Sequence, residues 1–315
     1  MAYHRILVVS RTFGKGAQKE QLYSLCNAYS LEPTFLSLED ATKTISEFEG
    51  LIIGTSKITR DLLAEARHLR VIIKYGVGID NIDTTAAQEY GVKILNLPGI
   101  NAITVAEFTL GMMLAVARKI TTGDRAIRNG DYEDEEFIGT GLVGKTLGII
   151  GTGSIGCELA RIVSGLDMTI LGYDVSHNPN FITSSGKYVT LDHLLQSADF
   201  VSLHIPLTPK TVHLIDREKL KCMRKDAFLI NTSRGGIVDE QALIEALTTA
   251  KLAGAALDVF ESEPPSLKKL LKMENVVVTP HIGAYTNETL RRMDKACVSA
   301  LSSALQYNKK KESKH

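Results

Sequence analysis

The sequence predicts an α/β protein of two doubly wound domains with parallel sheets, one domain inserted within the other. Three observations carry this. Short runs of Ile, Leu and Val without alternation recur between stretches of helical period, as strands do when both sheet faces are buried. A glycine fingerprint, "GTGSIG" from Gly151, stands nearly halfway along the 315 residues, so a whole strand series precedes it. A final helical stretch follows the last apolar run, and chains of this shape return to the domain they began in.

The elements follow in order. In the first third the apolar runs are "RILVV" from Arg5, "GLIIG" from Gly50, "VIIK" from Val71 and "VKILN" from Val92. Between them, "QKEQLYSLCNAYS" and "TRDLLAEARHL" have amphipathic helical spacing. After Pro98-Gly99 comes "NAITVAEFTLGMMLAVARKI", a helix closed by Arg118 and Lys119, cations suited to a helix C-terminus. It is apolar nearly all round and is expected at an interdomain or subunit interface. Six further strands are predicted: "TLGIIG", "TILGYD", "DFVSLHIP", "AFLINTS", "GAALDVF" and "NVVVTPH". The last helix is "NETLRRMDKACVSALSSALQY". One domain is therefore expected from residues 1–97 plus 287–315, the other from 98–286.

Lys and Arg number 36 and Asp and Glu 36, a formal net charge of zero, which removes the electrostatic case for nucleic acid or an anionic membrane as partner. The basic tail "NKKKESKH" reads as a solvated end. Cys26, Cys157, Cys222 and Cys297 are scattered, with no metal-ligand spacing, so no metal is expected and the thiols suit a reducing cytoplasm. The start "MAYHRILVVS" is not patterned as a signal peptide, and no run reaches the length of a membrane span.

The fingerprint has a physical reading. Gly151 allows a tight turn, Gly153 lets backbone approach a pyrophosphate, and Gly156 lets the following helix pack on its strand. That helix points unpaired N–H groups and its dipole at phosphate. Asp174 ends the next strand eighteen residues beyond Gly156, close to the spacing at which a carboxylate meets the adenosine ribose. With no arginine in "VSHNPN", the pattern favours NAD over NADP, tempered by His177. Cys157, in the first helical turn, reads as a small packed residue.

In an open α/β sheet, ligands sit beyond the carboxyl ends of the strands. Those ends carry His204, Arg234, Asp258 with Glu263 beyond it, and His281. Arg234, Glu263 and His281 match what hydride exchange between a hydroxy acid and a keto acid requires. A guanidinium holds the carboxylate and polarises the carbonyl. An imidazole moves the hydroxyl proton, and a carboxylate orients that imidazole and favours its charged form.

At these motifs the chain resembles the D-isomer-specific 2-hydroxyacid dehydrogenases, especially short phosphoglycerate dehydrogenase-like members, over essentially its whole length. "KYGVGIDNID" is similar to the family's substrate loop and "PGINAITVAE" to its hinge-helix start. "LGIIGTGSIG", "LHIPLTPKT", "INTSRGGIVDE", "ALDVFESEP" and "TPHIGAYT" resemble its cofactor-domain signatures in order. The resemblance implies two Rossmann-like domains, an NAD-binding domain inserted within a substrate-binding domain, with a cleft that closes on substrate. It implies a catalytic triad of Arg234, Glu263 and His281. Toward the cofactor it implies Gly151, Gly153, Ser154, Ile155, Gly156, Asp174, His204, Ile205, Pro206, Thr211, Thr232, Ser233, Asp258 and Gly283. Toward substrate it implies Lys74, backbone at Val77 and Gly78, Asn101, and Arg234 again. A homodimer is also implied.

Where phosphoglycerate-specific relatives commonly carry an arginine, this chain has Ile53, Gly54 and Thr55, with Lys57 nearby; Lys74 keeps an anionic substrate open. No regulatory domain is expected after residue 310. A D-2-hydroxyacid dehydrogenase, with D-3-phosphoglycerate among its possible substrates, stands beside a glyoxylate or hydroxypyruvate reductase and an NADH-sensing protein resembling the C-terminal-binding corepressors. Turnover of keto acids separates enzyme from sensor.

Overall fold

The computed structural model describes residues 3–15, 19–130, 137–183 and 186–312; the last three residues of the basic tail lie outside these, as do the side chains of 307–312. The chain divides into two compact units, Met1–Asn101 with Tyr285–His315, and Ala102–Ala284. The sequence reading put the two crossings at 97/98 and 286/287.

The first unit holds a parallel sheet of β1 (His4–Val9), β2 (Leu31–Phe35), β3 (Gly50–Ile53), β4 (Val71–Lys74) and β5 (Lys93–Leu95), in the order β2-β1-β3-β4-β5. The pleat explains the unbroken apolar runs. Ile6, Val8 and Ile52 face one layer with Leu22, Cys26, Leu301 and Leu305. Leu7, Val9 and Leu51 face the other with Leu62, Leu63, Ala86 and Ala87. Its helices include α1 (Lys19–Ala28), and α2 (Leu38–Thr44), α3 (Arg60–Glu65) and α4 (Thr84–Glu89) start where the sequence offers caps: Ser37, Thr59 and Asp83 each accept a backbone N–H of the first turn. One feature departs from expectation: β2, "LEPTF", is a strand the apolar pattern did not announce. Residues 1–97 do not close this core alone. The long C-terminal helix, α12 (Asn287–Glu312), supplies part of it, and a Cβ on Gly50 would lie 2.9 Å from both Ile6 Cδ1 and Leu301 Cδ1.

The second unit opens with α5 (Ala102–Ala117) and α6 (Ile120–Asn129). The helix expected to run through Lys119 thus stops at Ala117. Lys119 adopts φ +52°, and Gly139 returns so close that a Cβ there would lie 2.5 Å from the Ala117 carbonyl. A seven-stranded parallel sheet follows, one strand more than predicted. Its strands are β6 (Thr146–Ile150), β7 (Thr169–Tyr173), β8 (Gly186–Tyr188), β9 (Phe200–Leu203), β10 (Phe228–Asn231), β11 (Gly254–Leu257) and β12 (Val276–Val278), in the order β12-β11-β10-β9-β6-β7-β8. The order reverses between β6 and β9, the switch point where such sheets bind ligands. α7 (Ser154–Val163) follows β6 and packs with α5 through Ala106, Met113, Leu159 and Val163. α9 (Leu191–Ser197), α10 (Arg217–Cys222) and α11 (Glu240–Thr248) cover the opposite face. Among the described residues no helix is long and apolar enough to cross a membrane, and no cluster of His, Cys, Asp and Glu could hold a metal ion.

Candidate active site

The fingerprint forms the turn from β6 into α7. Gly151 has φ +98°, and a Cβ there would lie 2.5 Å from the His204 carbonyl, so only glycine fits. Gly156 is pressed against the Gly151 carbonyl, whereas Gly153 faces open space and lacks any side chain to cap α7. The amides of Ser154 and Ile155 open that helix. Asp174, after β7, braces the turn: its Oδ2 accepts from Thr152 N at 2.7 Å and its Oδ1 from Ser176 N at 3.2 Å. His177 stacks on Tyr188 with ring centroids 3.8 Å apart.

Across the switch point, β9 ends at His204. Its Nε2 lies 2.9 Å from Ser202 Oγ, while its buried Nδ1 has no hydrogen-bond partner among the described residues. Burial pushes the imidazole down to about 3, so it is neutral. Ile205 and Pro206 follow, and Thr211 closes that loop by donating to the Pro206 carbonyl at 2.7 Å.

The turn after β10 is organised by buried Asn231, whose Oδ1 accepts from Ser233 N and Oγ and whose Nδ2 donates to the Arg234 carbonyl at 2.8 Å. Thr232 meets Thr109 of α5, Oγ1 to Oγ1, at 2.9 Å. Since Thr109 gives its proton to the Val105 carbonyl at 2.7 Å, Thr232 is the donor of that pair. Arg234 Nη1 donates to the Ser233 carbonyl at 2.7 Å.

His281 follows β12 at φ +58°. Asp258, at the end of β11 and 1% exposed, builds the turn that carries it. Its carboxylate accepts from Thr279 Oγ1, Ile282 N and Gly283 N at 2.7, 2.9 and 2.8 Å, and its carbonyl from His281 N at 2.8 Å. Burial pushes the Asp258 carboxyl up, against these hydrogen bonds. This anchoring role was missed in the sequence, where Asp258 had been assigned to the cofactor alone. His281 Nδ1 lies 3.0 Å from both Glu263 oxygens. Burial raises the Glu263 carboxyl, but the His281 hydrogen bond and charge, a bond from the Phe260 amide and the charge of Arg234 outweigh it, and the net direction is down. Arg234, Glu263 and His281 are thus brought together in one unit.

In the first unit, Lys74 is 6% exposed and its Nζ donates to the Gly54 carbonyl at 2.5 Å and Asn81 Oδ1 at 2.8 Å. Tyr75 donates from its hydroxyl to Asp294 at 2.8 Å, which ties the loop of Gly76 (φ +139°), Val77 and Gly78 to α12. Asn96 Nδ2 holds the Val77 carbonyl at 2.6 Å, and Asn101 Oδ1 is buried without a hydrogen-bond partner among the described residues.

Residues 110–283 match the family model described as the NAD-binding domain of the D-isomer-specific 2-hydroxyacid dehydrogenases. The chain is 42% identical over 281 residues to a hydroxypyruvate reductase of Thermotoga maritima, covering 87% of this chain and 91% of that one. It is 43% identical over 258 residues to a D-3-phosphoglycerate dehydrogenase of Methanocaldococcus jannaschii, covering 81% of this chain and 49% of the relative. Among solved structures, a D-lactate dehydrogenase from Aquifex aeolicus complexed with NAD and lactic acid superposes with a TM-score of 0.86 at 27% identity, covering 97% of this chain and 96% of the other. With the family model spanning more than half of it, this chain belongs to the D-isomer-specific 2-hydroxyacid dehydrogenases, NAD-dependent oxidoreductases that interconvert 2-hydroxy acids and 2-keto acids.

Proposed function

We propose that this dehydrogenase acts on a small unphosphorylated 2-keto acid, hydroxypyruvate or glyoxylate, with Arg234, His281 and Glu263 as its working side chains. The observation that carries the roles is the commitment of His281 Nδ1 to Glu263, which leaves Nε2 to exchange a proton with substrate. Arg234 binds the carboxylate and polarises the carbonyl. In reduction, His281 gives its Nε2 proton to the forming hydroxyl; in oxidation it takes that proton back. Glu263 keeps the imidazole oriented and favours its charged form. Val77 and Gly78 offer backbone to the carboxylate, and Asn101 offers its Oδ1 as an acceptor to a substrate hydroxyl.

NAD, when bound, supplies the hydride acceptor of oxidation and, as NADH, the hydride of reduction. The chain fits it on three counts: the bare Gly153 start of α7, the carboxylate of Asp174 and the unpartnered Nδ1 of His204. Ile205, Pro206, Thr211, Thr232, Ser233, Asp258 and Gly283 complete this lining.

The preference against a phosphorylated substrate rests on Lys74. Its ammonium is buried and already serves Gly54 and Asn81, so its charge holds the loop rather than waiting for a phosphate. Phosphohydroxypyruvate is the second reading, supported by the 43% identity described above. A homodimer and a cytoplasmic setting complete the proposal. The setting rests on four free cysteines.

Initial rates with hydroxypyruvate, glyoxylate, pyruvate and phosphohydroxypyruvate, each with NADH and NADPH, test this. One of the first two should exceed phosphohydroxypyruvate in kcat/KM by roughly tenfold, the worth of one charge-assisted contact. NADH should exceed NADPH by a similar factor, because Asp174 repels a 2′-phosphate. A preference for the phosphorylated acid would reverse the substrate assignment.

A further inference from the structure

Outside the residues already assigned, one titratable cluster touches the machinery. Glu240, the first residue of α11, is 4% exposed although it carries a carboxylate. Its Oε1 accepts from the Glu261 amide at 2.7 Å. In return, the Glu240 amide donates to Glu261 Oε1 at 3.1 Å. That same oxygen lies 3.1 Å from His213 Nε2. His213 in turn donates its own amide to the Gly236 carbonyl at 2.9 Å. The cluster therefore clasps three segments: the loop before α10, the start of α11 just past Arg234, and the residues leading to Glu263.

The clasp acts where backbone freedom matters most. The Glu261 amide donates to Glu240, and, two residues on, Glu263 holds His281. The peptide N–H that leads to the relay is thus fixed by a carboxylate on α11. On the other side the Phe260 carbonyl and the Glu261 amide lie flat against Gly235, where any Cβ would collide with them. Turning the Phe260–Glu261 peptide would take the Glu261 donor away from Glu240 and press on Gly235, beside Arg234, together.

We propose that Glu240 is a positioning residue for the relay: through the Glu261 amide it sets the loop that aims Glu263 at His281 Nδ1. The inference rests on the reading of Glu263 and His281 given above. Burial of a carboxylate is costly, and burial pushes the Glu240 carboxyl up even though the Glu261 amide and the His213 charge oppose it. A helix start needs no buried acid, since Asp239 already caps α11 by accepting from Ala242 N. The Glu240 carboxylate is instead bonded to the Glu261 amide, and that bond bears on the reaction.

The test compares Glu240→Ala, Glu240→Asp and Glu240→Gln with Glu263→Gln in the full-length enzyme, using the best keto acid of the panel. Glu240→Ala should lower kcat roughly tenfold, leave KM for NADH within about twofold, and move the alkaline limb of the reduction profile to lower pH by on the order of one unit, toward that of Glu263→Gln. Glu240→Asp, one methylene short of the Glu261 amide, should move it the same way and guards against Glu240→Ala failing to fold. Glu240→Gln keeps an acceptor oxygen and should restore the wild-type limb. In the double variant Glu240→Ala/Glu263→Gln the shift should not exceed that of Glu263→Gln alone. If Glu263→Gln shifts the limb while Glu240→Ala and Glu240→Asp keep the wild-type profile and lose only thermal stability, Glu240 is merely structural and the inference falls. If Glu263→Gln itself leaves the limb in place, the relay reading fails and takes this inference with it.

Discussion

With Nδ1 of His281 turned to both oxygens of Glu263, a single ring nitrogen is left to meet a keto oxygen. Truncation to His281→Ala should therefore lower kcat by roughly 10²–10⁴, the range for a positioned general acid. Arg234→Lys keeps the charge but loses the two-pronged guanidinium, and should lower kcat/KM as well. The sign for Glu263→Gln follows from the pairing: the His281 hydrogen bond and charge hold the Glu263 carboxyl below its ordinary value, and the substitution deletes the negative charge beside the ring. Reduction uses the imidazolium, so without Glu263 the alkaline limb of kcat/KM should lie at lower pH; a limb at the wild-type pH would remove Glu263 from the relay. His204 presents the opposite case. The unfolded chain takes up a proton near pH 6.5, the folded chain only at about 3, so stability is complete above this window and falls as pH drops through it, by at most about 1.4 kcal/mol per unit. Urea unfolding at pH 7, 6 and 5 should show a shallower acid loss in His204→Gln than in wild type.

Elements with both faces buried were legible as sequence; of the four edge strands, β5 and β12 were legible from their apolar runs and β2 and β8 were not. β6, β7, β9, β10 and β11 are near-continuous apolar runs because helices cover both their faces. β2 and β8 escaped because each is an edge strand, paired on one side, half-buried, and built from polar or conformationally awkward residues such as Glu32, Pro33 and Lys187. The break between α5 and α6 escaped for another reason: nothing in "AVARKI" disfavours helix, and the stop comes from Lys119 and the returning Gly139. At the site, the strand-end rule finds Arg234 and His281 because they face ligand. Glu240 and the anchoring role of Asp258 were hidden because their partners are backbone amides, which carry no letter in a sequence. Gly235 shows how tight this element junction is. Gly235→Ala drives a methyl into the Phe260 backbone and should cost about 3 kcal/mol, as overpacking does at its upper range, read as a lowered urea midpoint. An unchanged midpoint would mean that the Phe260–Glu261 segment yields easily.

For the whole molecule, the case for assembly moves from α5 to α6. The sequence places α5 at an interdomain or subunit interface, yet Ala106, Met112, Met113, Val116 and Ala117 already lie in the core of the second unit. α6 buries no residue, and Ile120 and Ile127, two turns apart on one face, are each 55% exposed. Sedimentation at micromolar concentration should give a dimer for the wild type and a monomer for Ile120→Asp/Ile127→Asp, with the fold kept because neither side chain is buried in the chain itself. A dimer in the double variant would place the contact elsewhere. The split first unit has a consequence for how the protein is made. Its sheet leaves the ribosome first, but Leu301 and Leu305, which complete one of its two cores, emerge after the whole second unit has been synthesised. The continuous stretch 102–284 meets all its own partners earlier, whereas the domain begun first is finished last. Until Leu301 and Leu305 emerge, its sheet holds an uncovered apolar layer, the kind of surface that makes incomplete chains prone to aggregate.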